Sequence, residues 1–278
     1  MNKLRIREKY GDWAFITGAS SGIGRAFAEN LVDEGVNCII VSNDSTGLEE
    51  TRLALKKRAP SVEIVAKCID LTDDSKLDEL LSLPEVKKSR ILINSAGVGL
   101  IGYLIQFSLE QSLKIDRLNQ GTVLRLSYFY AEKLYKSGER GAIINVSSAN
   151  AEVGLAIPFS SVYSSGKTWV KFFTQSLHYE MKPFGVDVLN VSPGPTRTNF
   201  QSHAQTKILS WAESADSVAK KSLKSLGYKN SIVTNPIARI LLLILKFLPT
   251  TNNFKFKLVA WFYGNVLARQ GLVNLPKK

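Results

Sequence analysis

Residues 13–24 read WAFITGASSGIG. The first five, ending at Thr17, have the length and continuous apolar character of a short strand covered on both faces. Gly18, Gly22 and Gly24 follow, and from Ile23 the apolar residues recur at helical spacing as far as Asp33. A strand, a glycine-rich turn and a helix N-terminus in that order form a cradle for a pyrophosphate. The glycines let the backbone turn sharply and approach closely, and the helix end offers free N–H groups to the anion. Three residues rather than one separate the first two glycines, so the spacing departs from GxGxxG.

Working outward, the same alternation repeats. Strand-like runs are predicted at 37–41 (NCIIV), 62–68 (VEIVAKC), 90–94 (RILIN), 141–146 (GAIINV) and 186–191 (VDVLNV), all rich in Val and Ile. Between them lie helical patterns at 23–33, 47–58, 111–136 and 163–181, with a further helix expected at 73–81. Such alternation predicts an α/β fold: a Rossmann-type, doubly wound parallel sheet with helices on both faces, plus a helical C-terminal extension. Ligands of this fold lie at the carboxyl ends of the strands. The division expected is a dinucleotide-binding and catalytic domain over 1–235 and an apolar, basic extension over 236–278.

Composition narrows the function classes. Of the 278 residues, 45% are apolar and 22% charged, an ordinary globular balance. The two cysteines, Cys38 and Cys68, cannot build a disulfide framework and are expected to be small buried apolar residues in a reducing, cytoplasmic setting. The N-terminal residues lack the apolar segment of a signal peptide, and no apolar run reaches the ~20 residues of a spanning helix. His178 and His203 are the only histidines and have no matching Cys or acid spacing, so no metal site is expected. Basic residues are not interleaved with aromatics in the first 200 positions, which disfavours nucleic acid as a partner. The net charge of +12 is unevenly spread: residues 1–216 carry about one unit, while 217–278 carry eleven Lys and Arg and no acid.

Five strings in order, each following a predicted strand, carry a resemblance. TGASSGIG (Thr17–Gly24), NSAG (Asn94–Gly97), the Ser147–Ser148 pair, YSSGK (Tyr163–Lys167) and SPGPTRT (Ser192–Thr198) resemble the motifs of the short-chain dehydrogenase/reductase family. The resemblance covers about residues 12–200. It implies an oxidoreductase that interconverts a carbonyl and a hydroxyl with a nicotinamide dinucleotide, in a homo-oligomer; the expectation of a lipophilic substrate rests instead on the apolar C-terminal segments and the apolar loop 153–159. It also implies that Gly18, Ser20, Ser21, Gly22, Ile23 and Gly24 cradle the cofactor. Asp70, Leu71, Asn94, Ala96, Gly97, Pro193, Gly194, Thr196 and Thr198 would line its path at the ends of later strands. A non-catalytic dinucleotide-binding sensor or membrane-associated scaffold is the alternative, disfavoured because both Tyr163 and Lys167 are present.

Cofactor choice turns on the end of the second strand, where a carboxylate would favour NAD(H). By the family spacing that position is Ser42, followed by Asn43, and both are neutral. NADP(H) is therefore favoured and NAD(H) remains open. Asp44 is expected to start a helix or lie on the surface. Asp70 resembles the family's adenine-contacting acid, its alternative role being a cap for the helix 73–81.

Tyr163 and Lys167 are four apart and share one helix face. A free tyrosine titrates near ~10, and a neighbouring ammonium together with the oxidised nicotinamide is expected to bring it towards working range. The resemblance makes Tyr163 the proton donor, Ser148 the group that holds the substrate oxygen, and Lys167 a bridge to the cofactor ribose. Asn119 would support a proton relay. From Ser148 to Tyr163 the step is 15 residues where the family usually has 13; with Gly154 in its place, the two additional residues are expected between Leu155 and Pro158.

The extension holds a run at 237–248 (IARILLLILKFL) that would make a helix ~18 Å long, short of the ~30 Å hydrocarbon core. A second segment, 254–267, mixes aromatics with lysines. Both segments suit burial on the catalytic domain or a second subunit, and equally a peripheral anchor on an anionic membrane surface.

Overall fold

A computed structural model describes residues 4–152, 154, 157–198, 210–269, 271 and 273, without the side chain of Lys246. The strands are β1 (Trp13–Thr17), β2 (Asn37–Ser42), β3 (Ile64–Cys68), β4 (Ile91–Asn94), β5 (Gly141–Val146) and β6 (Val186–Ser192). Two two-residue strands, β7 (Thr196–Arg197) and β8 (Glu213–Ser214), pair with each other, and β9 (Ser231–Val233) closes the list. Among the described residues the main sheet has seven strands in the order β3-β2-β1-β4-β5-β6-β9, every neighbouring pair parallel. The doubly wound sheet is thus as the sequence predicts. The short strands β7, β8 and β9 were not foreseen; in the main sheet β9 is three residues long, and its backbone is fixed by pairing with Asn190–Ser192 rather than by any apolar run of its own.

The helices in chain order are α1 (Ile6–Tyr10), α2 (Gly22–Asp33), α3 (Ser45–Arg58), α4 (Asp74–Ser82), α5 (Pro84–Lys88), α6 (Leu109–Asp116), α7 (Thr122–Ser137), α8 (Ser161–Met181), α9 (Ala215–Ser225), α10 (Pro236–Phe247) and α11 (Asn252–Arg269). Alternate residues of each central strand feed opposite cores. From β1, Ala14 and Ile16 pack with Phe27 and Leu31 of α2 and Leu223 of α9. Phe15 packs on the other face with Leu126 and Tyr130 of α7 and Leu177 of α8. Both faces of the strand are therefore dry, which is why its sequence is continuously apolar rather than alternating. Fully burying a side chain such as Phe15 contributes ~1.5–3 kcal/mol, so each strand is held from two sides.

Three details differ from expectation. The pattern over 111–136 is not one helix: a π-turn at Arg117–Gly121 separates α6 from α7. One additional residue in a turn leaves the apolar periodicity on either side almost unchanged, so the sequence does not reveal it; such turns gather at functional sites. The cap of α4 is Asp73, whose carboxylate accepts from the Ser75 and Lys76 N–H groups, and not Asp70. Finally, Cys38 is buried but Cys68 is exposed, because β3 is the edge strand and ends there.

Candidate active site

The order of the sheet places β1 between β2 and β4, so the chain crosses over at that point and a crevice opens beyond the strand ends. A cleft of about 780 Å³ occupies it. The glycine loop forms one wall. Gly18 and Gly22 have φ of 65° and 55°, a conformation that favours glycine. A Cβ on Gly24 would stand 2.3 Å from the Gly18 carbonyl oxygen, so helix α2 can start this close to β1 only with glycine there. Ser21 caps α2 without a side-chain hydrogen bond, and the first turn of the helix borders the cleft. These features fit a bound pyrophosphate.

Thr17 ties this wall to the next. Its Oγ1 accepts from the N–H groups of Ser95 and Ala96, both at 3.0 Å, and so holds the NSAG turn across from the glycine loop. The sequence reading did not single out Thr17, although it opens the first motif. Ser42 lies at the end of β2, where its hydroxyl donates to Ser20 Oγ at 3.0 Å and accepts from the Asp44 N–H. Asp44 is the N-cap of α3, accepting from Gly47 N–H at 3.0 Å. Asp70 pairs with Lys114 at 2.9 Å and accepts from the Thr72 backbone and hydroxyl. Partial burial works against its charge, but the Lys114 ammonium and these hydrogen bonds outweigh that and hold the carboxyl down to about 2.

The floor holds the candidate catalytic groups. Tyr163 and Lys167 lie one turn apart on α8, and Tyr163 hydrogen-bonds Ser148. Lys167 is buried and donates from Nζ to the Val146 carbonyl at 2.9 Å, across the end of β5. Burial pushes the Tyr163 phenol up to about 12, with the Ser148 hydrogen bond opposing it. Burial also pushes Lys167 down to about 8. In the protein alone desolvation outweighs the ammonium, which is turned to a carbonyl; the lowering expected from sequence also counts the charge of the oxidised nicotinamide. Asn119 sits in the π-turn, buried, with Oδ1 accepting from Val98 N–H at 3.1 Å and Nδ2 donating to Val98 O at 2.8 Å. Gly97 packs against both groups, a Cβ there lying 3.0 Å from Lys167 Nζ and 3.1 Å from Asn119 Oδ1.

Behind Ser148 lies a polar support. Ser147 Oγ and Ser192 Oγ are 2.8 Å apart, Ser192 donates to Glu152 Oε1 at 2.7 Å, and Glu152 pairs with Lys171 of α8 at 2.8 Å. This fixes the single 3₁₀ turn Ala149–Glu152 that follows the serine. The expected insertion between Leu155 and Pro158 falls largely outside the described residues. His178 is half-buried and bonded to the Val188 carbonyl through Nδ1 at 2.7 Å.

The residues singled out from sequence converge on this one cleft, with two exceptions. Asn119 is just beneath the surface, as described. Asn94 turns into the core, its Nδ2 donating to Asn145 Oδ1 at 2.8 Å and to Ser127 Oγ at 3.3 Å, where it fastens β4 to β5 and α7. The sequence reading also missed Tyr263, Val266 and Leu267 of α11, which form part of the cleft wall. Tyr263 is pushed up by burial and hydrogen-bonds Asn150, two residues beyond Ser148. No local motif marks these residues; they come into place because α10 starts directly on the loop after β6. There a Cβ on Gly194 would lie 2.6 Å from that of Asn235, and Asn235 caps the helix.

The sequence profile of the short chain dehydrogenases matches residues 12–208, well over half of the chain. The chain belongs to the short-chain dehydrogenase family. This is a family of oxidoreductases, and the matched region ends before α9. Two relatives are similar over much of the length. One is a very-long-chain 3-oxoacyl-CoA reductase-like protein of Arabidopsis thaliana, 32% identical over 65% of this chain, which spans only 58% of that relative. The other is the very-long-chain 3-oxoacyl-CoA reductase of Bos taurus, 26% identical over 92% of this chain and 80% of the relative. Among solved structures, a short-chain dehydrogenase from Sphingobium yanoikuyae in complex with NADPH is 29% identical, with a TM-score of 0.73 over 84% of this chain and 92% of its own.

Proposed function

We propose that this short-chain dehydrogenase reduces a ketone on a lipophilic substrate with NADPH, Tyr163 being the proton donor. The observation that carries the reading is the Ser148–Tyr163–Lys167 cluster at the floor of a cleft whose other end is a glycine-rich pyrophosphate cradle. A nicotinamide dinucleotide held there would supply the hydride. Its diphosphate fits Gly18–Gly24, and the remaining cofactor-binding candidates lie along the cleft, Asn94 supporting it from below.

The protein's own residues account for the proton. A phenol pushed up to about 12 keeps its proton across the neutral range, as a donor to a developing alkoxide must. The Ser148 hydroxyl, hydrogen-bonded to that phenol, is placed to hold the same substrate oxygen, so that the carbonyl is polarised and oriented before the proton moves. Lys167 supplies positive charge beneath the tyrosine, and Asn119 holds the backbone at Val98, which borders Gly97. General acid catalysis of this kind contributes ~10²–10⁴-fold.

NADP(H) rather than NAD(H) is supported by the neutral Ser42 and Asn43, and by Asp44 being engaged at Gly47. The relative from Sphingobium that carries NADPH supports the same choice. A lipophilic substrate is supported by the relatives named for very-long-chain 3-oxoacyl-CoA, and by apolar groups such as Leu100, Ile101, Leu118, Val266 and Leu267 in the cleft wall. The test is NADPH oxidation against a panel of long-chain 3-oxoacyl thioesters and bulky ketones, with calorimetric titration of both cofactors. Tyr163→Phe should lower turnover at least ~10²-fold with NADPH affinity nearly unchanged. Undiminished turnover in that variant would refute the acid–base assignment, and clearly tighter NADH binding would refute the cofactor choice.

A further inference from the structure

Helices α10 and α11 carry large apolar side chains on their solvent side. On α10 the face turned to the protein is the stripe Ala238, Leu242 and Leu245, while Ile237, Ile240, Ile244 and Phe247 are 43–74% exposed. Their spacing of three, four and three residues puts them on one face. On α11, Tyr263 and Leu267 face the cleft, and Trp261 and Phe262 on the other side are 66% and 61% exposed. A helix apolar all round belongs in a core or in lipid, and large apolar side chains left exposed on both helices call for an occupant.

The charge decides which occupant. Residues 236–278 hold seven Lys and Arg and no acid, and Arg239, Lys257 and Arg269 are exposed around the apolar stripes. A two-fold contact sets a surface against its own copy, so a patch with charges of one sign opposes like to like. The α7–α8 face suits a second copy better: Tyr128, Tyr135, Phe172 and Tyr179 are exposed there beside charges of both signs, including the Glu132–Lys136 pair. An anionic bilayer complements the α10–α11 face, with apolar groups at the acyl boundary, Trp261 at headgroup depth and cations at the phosphates. Among the described residues no helix is long and apolar enough to cross a membrane, so the contact would lie in the interface plane.

We infer that α10 and α11 form an interfacial docking surface for anionic membranes, Ile240, Ile244, Phe247 and Phe262 entering the acyl boundary, Trp261 lying at headgroup depth, and Arg239 and Lys257 meeting lipid phosphates. Because the inner side of α11 is a wall of the active-site cleft, docking sets the cleft beside the bilayer. The inference stands whichever carbonyl compound is reduced.

The test is flotation of the full-length chain with vesicles of phosphatidylcholine alone, or with phosphatidylserine added, at low and high NaCl. Each basic residue at the surface multiplies binding about fivefold at modest salt, so flotation should require phosphatidylserine and fall steeply in high salt. The double variant Ile240→Glu, Phe262→Glu changes only exposed positions. It should lose flotation at least ~10-fold while keeping its thermal unfolding midpoint and its turnover of a water-soluble ketone. No flotation at low salt overturns the inference, as does flotation that the double variant leaves intact. A chain that does not float but whose dimer the double variant dissociates overturns it too, assigning the face to a second copy.

Discussion

Gly97→Ala places one methyl group where the structure has no room for it. Its Cβ would stand 3.0 Å from Lys167 Nζ and 3.1 Å from Asn119 Oδ1, whereas ordinary contacts lie near ~3.5–4.0 Å. Each neighbour must therefore retreat by about half an ångström, and neither is free to do so. Lys167 is held to the Val146 carbonyl at 2.9 Å, and Asn119 is held at both ends to Val98. A hydrogen bond from a charged group is worth ~1.5–3 kcal/mol net, and weakening that of Lys167 by about half costs ~0.8–1.5 kcal/mol. Since ~1.4 kcal/mol is tenfold in rate, turnover should fall about tenfold, with a ceiling near ~10²-fold if the bond is lost. The assay is steady-state NADPH oxidation at saturating cofactor, with NADPH affinity measured by fluorescence on the same preparation. The loss should lie mainly in kcat, and urea unfolding should shift by no more than the ~1–3 kcal/mol of an overpacked site. A kcat within twofold of the parent would refute the argument, because it would mean that Lys167 and Asn119 need not hold their present positions.

The pH dependence follows from the two buried groups. Lys167 titrates at about 8 and loses its positive charge above that value, while Tyr163, pushed up to about 12, stays protonated. Reduction rates should be level from pH 6 to 7 and fall above about 8 in a single limb, as a stopped-flow pH profile would show; a level rate through pH 9 would mean that the ammonium is not needed. The same depressed lysine binds its proton less tightly than in the unfolded chain, where it titrates near ~10.4. This group therefore adds stability as pH rises between about 8 and about 10.4, a contribution that Lys167→Met should remove from the pH dependence of urea unfolding. Lys171→Met strands the Glu152 carboxylate, which is 17% exposed, and should cost about 2–3 kcal/mol, somewhat less than the ~3–5 of a fully buried pair. Turnover should drop with it because the turn after Ser148 loosens, and adding Glu152→Gln should restore part of the stability. Urea unfolding that separates the single variant from the parent by under ~0.5 kcal/mol would count against that role.

Much of this protein was legible in its sequence because the demands concerned are local. Strands covered on both faces must be continuously apolar, so β1, β2, β4, β5 and β6 appear in the sequence to within a residue or so. A backbone at positive φ, or one pressed against a neighbouring carbonyl, favours glycine, so Gly18, Gly22 and Gly24 mark the turn into α2. Two groups sharing a helix face must be four apart, so Tyr163 and Lys167 stand out. Tertiary structure decided whatever depends on which distant surfaces meet. Asn94 bonds across β5 rather than facing the cleft, because its partners Asn145 and Ser127 are brought beside it by sheet order and by α7. Asp70 is an ion-pair partner of Lys114 rather than a helix cap, since Asp73 lies nearer the start of α4. How far burial raises the tyrosine in the protein alone is set by the tertiary packing around it and not by its spacing from Lys167 on α8. The extension reads in sequence as helical, apolar and basic. Its seat against the loop after β6, with one side of α11 in the cleft and the other in solvent, is fixed by contacts such as Gly194 on Asn235. Residues 41 positions apart meet there, and no local pattern encodes that meeting.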